Sequence, residues 1–195
     1  MSENPRMQAI PSSPALTGLA PVVSANTVVL VLGSFPGARS LALQQYYAHP
    51  QNQFWKILQA IWPTDPLPDV TGHDANDMLE RYAQRNQWLL DHGLGVWDVY
   101  AACEREGSLD SAIRDAVVND FGALRLPRLK AIAHNGAESF RHSRHVVAAL
   151  SAAGRPQNEA PAFYRLPSTS PANASWTFER KLEAWRHVMT QHGLA

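Results

Sequence analysis

The chain has almost no cysteine: Cys103 stands alone among 195 residues. No internal disulfide can form, and no cysteine-bound iron–sulfur cluster can be built within one chain, so the composition fits a reducing interior. Lysine is scarce too, limited to Lys56, Lys130 and Lys181. Net charge is absent, with 17 basic residues against 17 acidic ones. Proteins that coat nucleic acid indiscriminately carry a basic excess, which is missing here, although charge arranged locally does not show in the total. No apolar run approaches the roughly 20 residues that span a bilayer. The N-terminus has no basic start followed by an apolar stretch, so no secretion signal is expected. The eight histidines show no paired ligand spacing with a carboxylate. No metal and no cofactor are therefore expected, and activity should persist in excess chelator.

What is present suffices for one domain with a sizeable core, and the six tryptophans supply large buried surfaces. Residues 1–25 are rich in Pro, Ser and Ala without periodicity and read as a mobile arm lying over the domain, with 26–195 as a single domain. Val28–Leu32 reads as the first buried strand. Phe54, Leu58, Ile61 and Trp62 recur at helical spacing, so 52–62 reads as an amphipathic helix. Further helices are expected over 73–90, 109–121 and 137–150, and strands at 96–99, 129–133 and 163–166. Ser175 can cap a closing helix that carries Phe178, Leu182, Trp185 and Met189 on one face. Strands alternating with helices imply a mostly parallel sheet, with sites beyond the carboxyl ends of its strands. The segments 33–52, 96–98, 134–136 and 167–175 fall at those ends.

Residues 33–55, GSFPGARSLALQQYYAHPQNQFW, carry the most information. A strand, a glycine-containing loop and a helix in that order set backbone N–H groups at a sheet edge, where they can hold an anion or a base that becomes anionic. Tyr46, Tyr47, His49-Pro50 and Asn52 crowd the same edge. They suit a flat heterocycle better than a phosphate. A serine hydrolase built on Ser34 is a poor alternative, because GSFPG is not a GxSxG elbow.

Three segments, GSFPG with YYAHPQNQFW, the strand end AHNG, and the late loop LPSTSPANASW, resemble the uracil-DNA glycosylase superfamily. The similarity is greatest to its hypoxanthine-DNA glycosylase (DNA-deoxyinosine glycosylase) branch and runs from about Val28 to Trp185. The resemblance implies an α/β fold, a three-layer α/β/α sandwich around a central four-stranded, mainly parallel sheet. It also implies a monofunctional enzyme that flips a deaminated base, chiefly hypoxanthine, out of double-stranded DNA and hydrolyses its N-glycosidic bond. Such a protein is expected to work as a monomer in the cytoplasm, with the DNA. Phe35 stands where the mismatch-specific branch has asparagine. Thr169-Ser170-Pro171 replaces a His-Ser-Pro element of several uracil branches. A uracil or mismatch-thymine glycosylase, and a non-catalytic module that binds nucleotides or damaged DNA, are the alternatives. A lyase would want an amine in the site, and only Lys56 lies near a motif.

On this resemblance Asn52 is the candidate that holds the attacking water; by spacing alone it is equally an N-cap of the next helix. Gly33, Ser34, Phe35, Pro36 and Gly37 form the loop whose backbone would stabilise the departing base, or a simple tight turn. Tyr47 would stack on the flipped base, with Tyr46 as its core neighbour. His49 would donate to the base or a phosphate, or hold the His-Pro turn. Asn135 would read the base edge, or serve as a turn residue before Gly136. Ser168, Thr169, Ser170, Pro171 and Asn173 form the candidate DNA-binding loop. Asp98 reads as a supporting hydrogen-bond partner or a catalytic carboxylate.

Overall fold

The computed structural model describes residues 15–152 and 160–195. In chain order the elements are β1 (Leu16–Thr17), β2 (Val29–Gly33), α1 (Ala38–Leu43), α2 (Phe54–Ile61), α3 (Ala75–Asp91), β3 (Leu94–Asp98), β4 (Tyr100–Glu104), β5 (Arg114–Val118), β6 (Ala131–Asn135), α4 (Ala137–Phe140), α5 (Ser143–Ala152), β7 (Ala162–Leu166) and α6 (Phe178–Gln191). Four of the strands form one sheet in the order β3-β2-β6-β7, with every pairing parallel. Val29 to Leu32 are wholly buried, as the run of β-branched and leucine side chains requires of a strand covered on both faces.

The chain leaves β2 toward β3, then crosses back over β2 to β6 and continues to β7. The β2-to-β3 connection, through α1–α3, and the β6-to-β7 connection, through α4–α5, run in opposite directions across the sheet. The direction of winding reverses between β2 and β6. The crevice beyond the carboxyl ends of those two strands is where such folds bind ligands. α6 packs on α2 and β7, with Trp185, Val188 and Met189 buried.

A second, three-stranded sheet has the order β1-β4-β5 and is antiparallel. It corrects the expectation of a helix over 109–121. That stretch is a short 3-10 turn (Asp110–Ala112), strand β5, and a second 3-10 turn (Phe121–Ala123). Pairing with β4, Val117 opposite Ala102 and Arg114 opposite Glu104, overrides the local helical spacing. The helix expected over 137–150 is broken into α4 and α5. Thr177, not Ser175, caps α6, its hydroxyl accepting from the Arg180 N–H, while the Ser175 hydroxyl donates to Asn173. Of the arm, residues 1–14 lie outside the described residues. Leu16–Thr17 pairs with β4, Leu19 is buried, and Val22 bridges to Val96 at the β3 edge.

Candidate active site

The exit of β2 is the tightest point of the sheet. Gly33 lies opposite Asp98 of β3, and a Cβ on residue 33 would overlap the Asp98 carboxyl oxygen Oδ1. Only a residue without a side chain lets these strands pair with the carboxylate between them. The pairing continues past the sheet: Val99 N–H donates to the Gly33 carbonyl (2.9 Å) and Tyr100 N–H to the Ser34 carbonyl (3.0 Å). The Ser34 hydroxyl donates to Asp110 (2.6 Å), and the Ala38 N–H to the Ser108 hydroxyl (3.0 Å). The loop 33–38 is thus clasped by the segment that follows β4.

Phe35 is buried beneath the Arg105 guanidinium, 5.0 Å from its ring centroid, and that guanidinium donates to the Pro36 carbonyl. The aromatic residue that replaces the branch's polar one is a seat for a loop-holding arginine. A buried guanidinium over an aromatic face gains both cation–π attraction and shielding from water.

Tyr46 and Tyr47 divide as their neighbourhoods dictate. Tyr46 is core: its hydroxyl reaches the Leu19 and Ala20 carbonyls (3.2 and 3.1 Å), its N–H donates to the Tyr82 hydroxyl, and its carbonyl accepts from the Trp55 indole. Tyr47 has a left-handed backbone (φ 54) and stacks on Phe54, with centroids 4.0 Å apart. Its hydroxyl is buried near Asn135 without meeting hydrogen-bond geometry. Burial and the nearby Asp98 push its pKa up.

The N-cap of α2 is Gln53, not Asn52, and makes no side-chain capping bond; one residue earlier, the Asn52 side-chain oxygen accepts from the Phe54 N–H (3.0 Å), the first N–H of the helix. The same residue also borders the cavity described below. One lone pair of that oxygen is used, and a second remains. His49 Nδ1 accepts from the Gln51 N–H (3.2 Å), within the His-Pro turn.

Asn135 ends β6. Its amide makes two bonds to one residue: Nδ2 donates to the Thr169 hydroxyl and Oδ1 accepts from the Thr169 N–H, both at 2.9 Å. Gly136, at φ +111, follows in a conformation that side chains rarely adopt, with Ser168 packed against it. The Thr169 carbonyl in turn accepts from the Gln53 N–H (2.9 Å). Asn173 donates to the Ser168 carbonyl (3.1 Å), and the buried Lys181 ammonium donates to the Asn173 carbonyl (3.0 Å).

These parts enclose a cavity of about 540 Å³ at the β2/β6 switch point. Its lining includes Gly33 to Gly37, Tyr47, His49, Asn52, Asn135, Ser168, Ser170, Pro171 and Asn173. Thr169 is fully buried behind it. The wall also includes Asp98 and Ser108 to Ser111, which sequence reasoning left at the margin or missed. Burial, then the Asp110 charge, push the Asp98 pKa to about 7 while Arg105 pulls the other way. Asp110 is also raised, by burial first and against the Ser34 hydroxyl bond. Ser108, Asp110 and Arg105 carried no motif and sat beside a stretch whose spacing suggests helix. Lys181 repeats the apolar register of α6 and announces nothing.

The profile of the Uracil DNA glycosylase superfamily matches residues 20–189. The chain belongs to that superfamily. Within it, similar proteins include two named hypoxanthine DNA glycosylase. That of Methanosarcina barkeri is 38% identical over 124 residues, covering 63% of this chain and 72% of its own. That of Methanosarcina acetivorans is 37% identical over 121 residues, covering 61% and 70%. A solution NMR structure of a candidate uracil DNA glycosylase from Methanosarcina acetivorans superposes with a TM-score of 0.71 at 30% identity, covering 92% of this chain and 99% of that one. The superfamily's α/β fold, with its four-stranded parallel sheet, is therefore the fold seen here.

Proposed function

We infer that this chain is a DNA glycosylase that hydrolyses the N-glycosidic bond of deaminated bases in DNA, hypoxanthine foremost, and leaves an abasic site. The observation that carries this reading is the cavity at the switch point, walled by an aromatic ring, three asparagines and a clasped backbone loop, in a chain akin to hypoxanthine DNA glycosylases. Its volume is that of a pocket for a small flat ligand.

In this reading a nucleotide leaves the stack and its base enters against Tyr47. An aromatic platform under a base contributes about 1–3 kcal/mol. As the C1′–N9 bond lengthens, the sugar becomes oxocarbenium-like and negative charge builds on the base. Main-chain dipoles of Ser34 to Gly37, held still by Arg105, Ser108 and Asp110, face that charge. In other enzymes each such preorganised donor contributes roughly 3–4 kcal/mol. The free lone pair of Asn52 orients water toward C1′; so reactive an electrophile needs a placed water rather than a strong base. Asn135 and the Ser168–Asn173 loop face the base edge and the flanking phosphates, with His49 and Arg39 at the rim.

The test is incubation of the protein with duplexes that carry one inosine, uracil, xanthine or thymine mismatch, followed by alkali to cleave abasic sites. Cleavage is expected at inosine above all. Binding to each duplex without alkali-labile product would mark a non-catalytic module, and preferential release of uracil or thymine would place the chain in another branch.

A further inference from the structure

Asp98 is poorly accounted for by a structural role. It ends β3 at the carboxyl edge of the parallel sheet, is 4% exposed, and lines the cavity. Its Oδ2 is buried with no hydrogen-bond partner among the described residues. Buried carboxyls are ordinarily ion-paired or hydrogen-bonded. The groups that face it come from four other segments. Arg105 lies past the end of β4, Asp110 in the turn ahead of β5, the phenols of Tyr46 and Tyr47 after α1, and that of Tyr82 on α3. Arg105 forms no salt bridge with it; its Nη2 donates to the Pro36 carbonyl and its guanidinium lies over the Phe35 ring, while Nε and Nη1 are buried without a hydrogen-bond partner among the described residues. Asp110 is a like charge and already accepts from Ser34. The surroundings therefore favour the neutral acid, and Asp98 holds its proton up to about pH 7. The bare Cα of Gly33 lies between this carboxyl and the Tyr47 hydroxyl, so the acid stands beside the ring that would carry the base.

We propose that Asp98 is the general acid of the excision reaction, passing its carboxyl proton to an acceptor atom of the flipped purine as the bond to the sugar opens. This rests on the glycosylase reading above. The electron pair of the C1′–N9 bond leaves with the base, and the Asp98 proton neutralises that base. The oxygen of the Asn52-held water bonds to C1′, and the proton that this water loses returns to the Asp98 carboxylate or to solvent. The reaction consumes one water and yields a neutral base and an abasic sugar. Asn52 cannot supply the proton, because its amide does not ionise. A well-placed general acid accelerates such steps by about 10²- to 10⁴-fold.

The test is single-turnover release of hypoxanthine from a deoxyinosine duplex by the full chain, at saturating enzyme, from pH 5 to 9, for the wild type and Asp98→Asn. Thermal unfolding of both is followed alongside. The wild-type rate should fall about tenfold per pH unit once the acid has lost its proton. Asp98→Asn should be slower at pH 6 by about a hundredfold or more, and its rate should not change with pH. A variant that keeps the wild-type rate, or that is slowed but keeps the wild-type pH profile, overturns the role as acid. Where Asp98→Asn does not fold, the wild-type profile decides alone: a rate that is flat or rising from pH 6 to 9 overturns the proposal. Release of hypoxanthine with a flat profile removes the acid and leaves the glycosylase standing. No release at any pH removes both.

Discussion

Gly33→Ala probes the point where strand pairing and the cavity meet. The backbone of Gly33 is ordinary β, so alanine suffers no dihedral penalty, and the whole effect is steric. The new Cβ would stand well inside the 3.0 Å that real Cβ atoms keep, against Oδ1 of Asp98, and at 3.4 Å from the Tyr47 hydroxyl. Asp98 is buried and Tyr47 is stacked on Phe54, so either group gives way only by disturbing its packing. Overpacking of this kind costs about 1–3 kcal/mol. At this chain length each kcal/mol lowers Tm by roughly 2–4 °C, so a drop of roughly 2–12 °C is expected. The carboxyl must retreat by roughly 1 Å, and a misplacement of that size costs about a hundredfold in rate. The assay is a double-mutant cycle. Gly33→Ala is made in the wild type and in Asp98→Ala, with Tm and single-turnover inosine excision measured for all four proteins. With the carboxyl removed, the added methyl should destabilise by less than about 0.5 kcal/mol, so the coupling between the two positions should approach the full penalty. If Gly33→Ala lowers Tm equally in both backgrounds, or leaves stability and rate untouched, the contact does not hold the site as argued.

Asn52→Ala removes the bond to the Phe54 N–H and the proposed water carrier, so stability should fall by about 1 kcal/mol and excision by about a hundredfold. Asn52→Asp keeps an acceptor for the Phe54 N–H, and chemical denaturation should find it as stable as the wild type. Asn135→Ala strands the Thr169 N–H and hydroxyl in the interior, and urea unfolding should register a loss of roughly 1–3 kcal/mol per unsatisfied group. Asp98 has a folded pKa near 7 against an ordinary 3.8, so its contribution to stability is present below about pH 4 and is lost as pH rises through 7. Asp98→Asn escapes that penalty, whose ceiling is roughly 4 kcal/mol. Its Tm should therefore match the wild type at pH 4 and exceed it at pH 8, and a gap that narrows with rising pH would contradict the assignment.

The parts of the fold visible in the sequence are those where local pattern and tertiary demand agree. The Val28–Leu32 run, the helical recurrence from Phe54 to Trp62, and the apolar face of 178–189 each had one way to be buried. The β4–β5 ribbon was hidden because Leu109, Ala112, Ile113, Ala116 and Val117 space like a helix, and β5 is nearly all exposed, so no buried face betrays it. The same misreading concealed Ser108 and Asp110, which reach the 33–38 loop across 70 and 76 residues of chain. Asp98 was noticed for its place at a strand end. Its missing partner is a property of the packed interior, and no spacing rule carries that information. The residues in YYAHPQNQF, by contrast, lie within one local turn, where sequence neighbours are also neighbours in space.

Thr169 joins three walls of the cavity. It holds the tip of β6 through Asn135, the entry to α2 through Gln53, and the surface loop of which it is itself a member. Ser168 and Ser170 thus flank, on either side, the residue that is bonded to Asn135 and to the peptide beside Asn52. Loosening that one residue would free a strand tip, a helix entry and a loop together.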